Sequence, residues 1–299
     1  MPRAADVDKA VNIAMSSNGY DPDNTEIAFF GGSFTAIDRD YMLELLSAAE
    51  KYVKDGRVSG IRLSTRPDAI DRQVLETLKE SGVTSIELGA QSMNNRVLEV
   101  NKRGHTAEDV ANACELIKEY GFSLGLQMMT GLYGSRPEDD RLTAEKLASL
   151  RPDTVRIYPT IVLKNTELQE LYKDGLYKPP TLAETVKLCG ELLNLFRENN
   201  INVIRLGLHS IEKDSYVAGP FHPSFGELCE SETYLTAAKK ALCGFEKGRY
   251  ILTVNDRAVS KMVGQKKSNI ERLKQLGYDC RVEADSGLKD REINIKMVW

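Results

Sequence analysis

Tryptophan is nearly missing from this sequence, with Trp299 the only one in 299 residues, and histidine is scarce, with His105, His209 and His222 far apart. No histidine has a second ligand at helical spacing, so a histidine-based metal site is not expected and the three are read as loop or structural residues. Cysteine is equally thin. Cys114, Cys189, Cys229, Cys243 and Cys280 stand singly, and no two share CxxC spacing. This excludes a disulfide framework and a structural zinc site, and leaves most of them as small buried apolar residues. No stretch approaches the roughly 18 apolar residues of a membrane span. The opening MPRAADVDKA also lacks the apolar core of a secretory leader, so a cytoplasmic protein with no membrane partner is expected.

What is present is an alternation of two periods. Apolar runs of strand length lie at 26–30, 60–64, 84–89, 122–129, 153–158 and 201–206, separated by stripes of helical period. Asp38, Asp71, Thr106 and Thr181 stand just ahead of four of those stripes as N-caps, and several stripes end on Gly or Asn. Such alternation predicts βα units around a parallel sheet, closed into a barrel or left open, with ligands at the C-terminal strand ends. Small and polar residues collect at those ends: GGSFT at 31–35, STRPD at 64–68, GAQS at 89–92, TGLYG at 130–134 and YPTIV at 158–162. Gly31 and Gly32 allow φ > 0 and leave backbone groups bare for the polar end of a ligand.

Taken in order, AFFGGSFT, IRLSTRPDAI, SIELGAQSMNNRVLEVNKRGHT, GFSLGLQMMTGL and PDTVRIYPTIVLKNTELQELYKDGLYKP resemble the radical S-adenosylmethionine superfamily, and within it the radical domain of the Elongator catalytic subunit, over roughly residues 26 to 180. The resemblance implies a partial, TIM-like βα barrel that uses S-adenosylmethionine, with Gly31, Gly32, Ser33 and Phe34 at the methionyl amino group. It implies further cofactor contacts from Ser64, Thr65, Gln91, Arg103, Gln127 and Met129, and puts Arg66, Tyr158 and Lys164 on the substrate side. The chemistry of the residues agrees. Gln91 offers a donor and an acceptor to a pair of hydroxyls, and Arg103 offers a two-pronged bond to a carboxylate.

The family also carries CxxxCxxC, whose thiolates hold a 4Fe-4S cluster, and that pattern is absent here. The expectation is a family member whose first strand and cluster loop lie upstream of Met1. Alone, such a chain is expected to be inactive in cofactor cleavage and to self-associate through the exposed strand at 26–30. The acetyltransferase portion of the Elongator subunit has no counterpart either.

From Arg249 the order is strand, helix, GQKK loop, helix, strand, strand, which resembles a KH domain with its backbone-clamping GxxG loop. Gly264 opens the loop, Lys266 follows, and Lys267 stands where the second glycine is usual. From Phe245 onward 12 basic residues face 8 acidic ones, so this tail is +4 on a chain of net −4. A basic tail on an acidic body points to an anionic partner, RNA, and by resemblance tRNA. The expected domains are a barrel at 1–210, a connecting loop and helix at 211–244 with AGPFHPSFGEL as loop, and an α+β KH-like unit at 245–299. The functional expectation is an Elongator-like tRNA-modifying protein. The rival from another class is a noncatalytic S-adenosylmethionine- or RNA-binding module. An ordinary metabolic barrel enzyme would not need the tail.

Overall fold

The computed structural model describes residues 1–209, 211–212 and 214–298, so the expected boundary at 210 falls outside the described residues. The chain begins with α1 (Ala4–Met15), β1 (Glu26–Phe29), α2 (Arg39–Lys54), β2 (Gly60–Thr65), α3 (Arg72–Glu80), β3 (Val83–Gln91), α4 (Asn95–Val100), α5 (Ala107–Glu119), β4 (Ser123–Thr130), α6 (Pro137–Ser149) and β5 (Thr154–Pro159). It continues with β6 (Val162–Leu163), α7 (Glu167–Lys173), α8 (Leu182–Glu198), β7 (Asn202–Leu206), β8 (Tyr216–Ala218) and α9 (Phe225–Leu242). The tail holds β9 (Gly248–Val254), α10 (Val259–Val263), α11 (Ser268–Gln275), β10 (Tyr278–Ala284) and β11 (Ile293–Val298).

Two compact units divide the chain, Met1–Ile157 with Asn199–Ile204, and Tyr158–Glu198 with Arg205–Trp299. The first unit is built on a curled parallel half-barrel with strand order β1-β2-β3-β4-β5-β7. Its registers run Glu26 to Gly60, Leu63 to Ile86 and Leu88 to Leu126. The two-residue period of a strand sorts the side chains. Ile61, Leu63, Ile86, Leu88, Leu124, Leu126, Val155 and Ile157 are buried on one face, where α2, α3, α5 and α6 cover the sheet. The alternate positions carry charge or polarity, or have no side chain: Glu26, Arg62, Ser64, Glu87, Gly125, Gln127 and Arg156.

All four expected caps form. Asp38 accepts from Tyr41 N at 3.0 Å, Asp71 from Val74 N at 2.8 Å and Thr106 from Asp109 N at 3.2 Å. Thr181 Oγ1 accepts from Glu184 N at 3.3 Å while Glu184 accepts from Thr181 N at 2.8 Å. Cys114, Cys189, Cys229 and Cys280 are buried and Cys243 is exposed.

In the second unit β6 and β8 pair antiparallel, and α8 packs on α9. The βααββ order read from Arg249 onward is present: β9 lies between β10, parallel to it, and β11, antiparallel. The core of this sheet also takes Tyr234, Leu235, Ala238 and Leu242 from α9. The segment AGPFHPSFGEL, read as loop, is helical from Phe225. Pro223 precedes the first turn, where its missing N–H breaks no helical bond. Phe225 is buried, and Gly207, at φ +93, leaves the space it fills.

Candidate functional site

The C-terminal ends of β1 and β2 are tied together by side chains at the end of β2 and in the turn after β1. Ser64 Oγ donates to Gly32 O at 3.3 Å. Thr35 Oγ1 lies 2.6 Å from Thr65 Oγ1 and donates to Ala69 O at 2.6 Å. The turn after β1 is thereby fixed to the end of β2. Gly31 adopts φ +107, a conformation that disfavours any side chain, whereas Gly32 lies outside the left-handed region. Nothing stands within 4 Å of a Cβ built on either glycine. Packing inside the protein therefore does not require glycine at position 32, and the bare backbone there faces open space.

Gln91 ends β3 at φ +62, where the β3–β4 register slips, and it is only 4% exposed. Its carboxamide accepts from Gln127 Nε2 at 3.1 Å and folds over Gly89, where a Cβ would come within 2.6 Å of Gln91 Nε2. A left-handed glutamine at a strand end is strained, and strain of that kind gathers at ligand sites. Gln127 and Met129 are half-buried positions on the same face of β4.

The loop after α4 closes on these strand ends. His105 Nε2 lies 3.2 Å from Ala90 O and ties this loop to the end of β3. Arg103 Nε is buried without a hydrogen-bond partner. Burial, and after it the nearby Arg66 guanidinium, depresses the Arg103 pKa. Arg66 pairs with Asp68 and holds that carboxyl below the usual range. Two adjacent cations, one with an unfilled donor, form a place for an anion.

Ser33 is half-buried, the Phe34 ring stacks on Phe29 at 4.6 Å, and Ser33 and Phe34 line, together with Gly31 and Gly32, a mostly apolar cavity of about 350 Å³ bordered also by Val7, Ala10, Ile27 and Tyr41. Tyr158, half-buried, and Lys164, exposed, belong to the second unit, where Lys164 N donates to Ser215 O at 2.8 Å. Gly264, Lys266 and Lys267 form the α10–α11 turn with φ values of 76, 52 and 63.

The sequence reading missed a row of charge across the same sheet face: Glu26, Arg62, Glu87 and Arg156. Each sits in a strand, Arg62, Glu87 and Arg156 between two apolar neighbours, and that repeated placement was the available signal. It also missed Asp140, which is 3% exposed and accepts from Gly131 N at 2.9 Å and Ser135 Oγ at 2.7 Å, holding the loop after β4. Burial, with help from the neighbouring Asp139, raises its pKa to about 6 despite these bonds and Arg141. The folded state thus keeps a proton that the unfolded chain releases near pH 4. The stabilisation is complete at low pH and is lost as pH rises through about 6, a linkage of about 3 kcal/mol. Asp140→Asn is expected to gain stability relative to wild type across that window, as read by urea unfolding at pH 4, 5, 6 and 7. A constant difference would remove Asp140 as the titrating group.

The donor set fits S-adenosylmethionine: bare backbone for an amino group, an arginine for a carboxylate and a carboxamide pair for ribose hydroxyls. It does not fit an iron-sulfur cluster. Among the described residues no three His, Cys, Asp or Glu side chains gather as a metal site. Burial pushes the Cys114 thiol up to about 12, Cys280 to about 11, and Cys229 upward as well, away from the thiolate form that ligates iron.

A sequence profile described as Radical SAM superfamily matches residues 2–147, and one described as Radical_SAM C-terminal domain matches residues 152–235. The tRNA uridine(34) acetyltransferase of Methanocaldococcus jannaschii is 31% identical over 190 residues, 57% of this chain and 35% of that protein. Human Elongator complex protein 3 is 31% identical over 197 residues, 59% of this chain and 36% of that protein. The structure of the archaeal Methanocaldococcus infernus Elp3 with an N-terminal deletion superposes with a TM-score of 0.66 at 26% identity, covering 80% of this chain and 58% of that one. The chain spans about a third of the length of the curated relatives it matches.

Proposed function

Because the chain belongs to the radical SAM superfamily, we propose that it binds S-adenosylmethionine at the ends of β1 to β4 and acts in the cytoplasm on RNA, with tRNA as the substrate class. The observation that carries this is the buried, unfilled Arg103 Nε, together with a turn after β1 whose glycines leave backbone exposed. Arg103 takes the carboxylate, the Gly31–Gly32 backbone takes the amino group, and Gln91 with Gln127 takes the ribose hydroxyls. The sulfonium of the bound cofactor supplies an activated carbon–sulfur bond. Ligands for a cluster are not offered by these residues, which favours a second reading, a noncatalytic cofactor- and RNA-binding module. The name of the tRNA uridine(34) acetyltransferases among the relatives supports tRNA over other RNA, and no helix among the described residues is long and apolar enough to cross a membrane.

RNA is assigned to the tail at Gly264, Lys266 and Lys267. Two consecutive lysines in left-handed backbone carry strain of about 1–3 kcal/mol each, which ordinary solvation does not call for. Replacing both by glycine, Lys266→Gly with Lys267→Gly, relieves that strain and removes the charge. Thermal stability is expected to equal or exceed that of wild type, because the strain relieved offsets the roughly 0.5–1 kcal/mol entropic cost of each glycine. The slope of log affinity for tRNA against log salt should shrink by about one for each lysine. Sedimentation titrations at several salt concentrations measure both proteins, and an unchanged slope would exclude the turn. The same runs without RNA test self-association through β1, which lies at the sheet edge with β2 as its neighbour.

A further inference from the structure

β1 is four residues long and pairs with β2 at the edge of the sheet, yet the Gly31–Gly32 turn hangs from its C-terminal end. An edge strand this short is a poor support for a ligand cradle. We infer that a closed circuit of side chains, Glu26–Arg62–Glu87–Arg156–Phe30, holds that turn in place, with Glu87 and Arg156 as its positioning residues.

The circuit starts and ends on the β1 segment. Arg62 Nε donates to Glu26 Oε2 at 2.9 Å and its Nη1 donates to Glu87 Oε1 at 3.0 Å. Arg156 Nη2 donates to the same Glu87 Oε1 at 2.8 Å, and its Nε lies 2.6 Å from Oε2. The Arg156 guanidinium carbon then sits 4.8 Å from the centroid of Phe30, the residue just before Gly31. Three neighbouring strands and β5 are thus crossed and the path returns to β1. β4 takes part by having no side chain at Gly125, where a Cβ would come within 2.7 Å of Glu87 Cγ.

The chemistry of each link explains its place. The Glu87 side chain is only 6% exposed and is shared by two guanidinium groups, so its charge is compensated and both arginines are fixed by one carboxylate. Phe30 is 48% exposed, and a ring that open would rotate freely without the cation over its face. Glu26 is fastened further by Thr84 Oγ1 at 3.0 Å. Gripping Glu26 and Phe30 from the same network fixes both ends of β1 and, through Phe30, the first glycine of the turn. The consequence for cofactor affinity rests on the reading of that turn as the methionyl cradle; the mechanical claim does not.

Amide hydrogen exchange of the intact chain tests the mechanical claim. In Arg156→Ala and in Phe30→Leu, exchange across 28–33 is expected to accelerate about tenfold, while amides of β4 and α5 keep wild-type rates. Phe30→Tyr retains the ring and should restore protection. Arg72→Ala, which breaks the surface pair with Glu119, should change nothing at 28–33. Phe30→Leu leaves every ion pair intact, so it decides the matter even where Arg156→Ala folds poorly, and wild-type exchange in Phe30→Leu overturns the circuit. Titrations with S-adenosylmethionine and with 5′-methylthioadenosine, which has no amino acid end, test the consequence. Phe30→Leu should weaken the first about tenfold and the second less than about twofold. Equal weakening of both overturns a role at the amino acid end. A wild-type chain that binds neither removes the cofactor reading, and exchange still judges the circuit.

Discussion

Gly32→Val is expected to leave the protein as stable as wild type and to remove its affinity for S-adenosylmethionine. The two effects separate because nothing lies within 4 Å of a Cβ at this position and its backbone is outside the left-handed region. The folded chain accepts the side chain at a cost within about 0.5 kcal/mol, the usual range for an unhindered surface position. The isopropyl group would occupy the space in which the amino group of the ligand must approach the main chain, so affinity should fall about a hundredfold or more. Gly31→Val should behave oppositely, because φ +107 strains any side chain and the cost appears in stability first. Calorimetric titration beside thermal unfolding measures both. Wild-type affinity in Gly32→Val would place the cofactor elsewhere.

Anaerobic treatment of the purified chain with iron and sulfide is expected to produce no iron-sulfur charge-transfer band and, with a strong reductant present, no 5′-deoxyadenosine. The reasons lie in the cysteines themselves. Cys114 is on α5, Cys189 on α8, Cys229 on α9 and Cys280 on β10, all buried in packed interiors, and only Cys243 is exposed. One exposed thiol cannot supply the several thiolates that hold four irons. Buried thiols held above their ordinary pKa resist the deprotonation that ligation requires. A stoichiometric band in wild type, retained by Cys243→Ser, would show that the buried cysteines rearrange to bind metal and would end this reading.

Much of the first unit was legible because its signals are local. Apolar runs gave the strands of the half-barrel to within about two residues, and Asp38, Asp71, Thr106 and Thr181 marked helix starts by a capping chemistry that depends on one side chain and the next turn. What escaped depends on distant partners. α1 buries only Val7 and Val11 and leaves Ile13 and Met15 exposed, so its stripe is thin. α6 buries Asp139 and Asp140, which read as surface charge until the loop after β4 is seen to donate to Asp140. The start of α9 is hidden by Pro223 and Gly226, both of which look like turn residues in isolation. At the candidate site, Gly31, Gly32, Gln91 and Arg103 were found through motif resemblance, whereas Glu87 and Arg156 acquire meaning only when strands 69 residues apart share one carboxylate.

Gly244 and Lys247 flank an exposed stretch that by composition resembles an interdomain linker, an obvious place to cut the gene or to find a protease. The participation of α9 in the interior of the β10-β9-β11 sheet removes that convenience. Arg272 and Asn269 of α11 bind Glu232 and Ser231 of α9, and Tyr234 reaches Asp290 near the C-terminus. Nicking the chain after Leu242 would therefore leave two fragments that remain associated, while expressing either alone would expose Tyr234 or its partners to water. Heat and denaturant should melt α9 with the tail in one step, and any fusion or dissection of this protein has to place its seam ahead of Phe225.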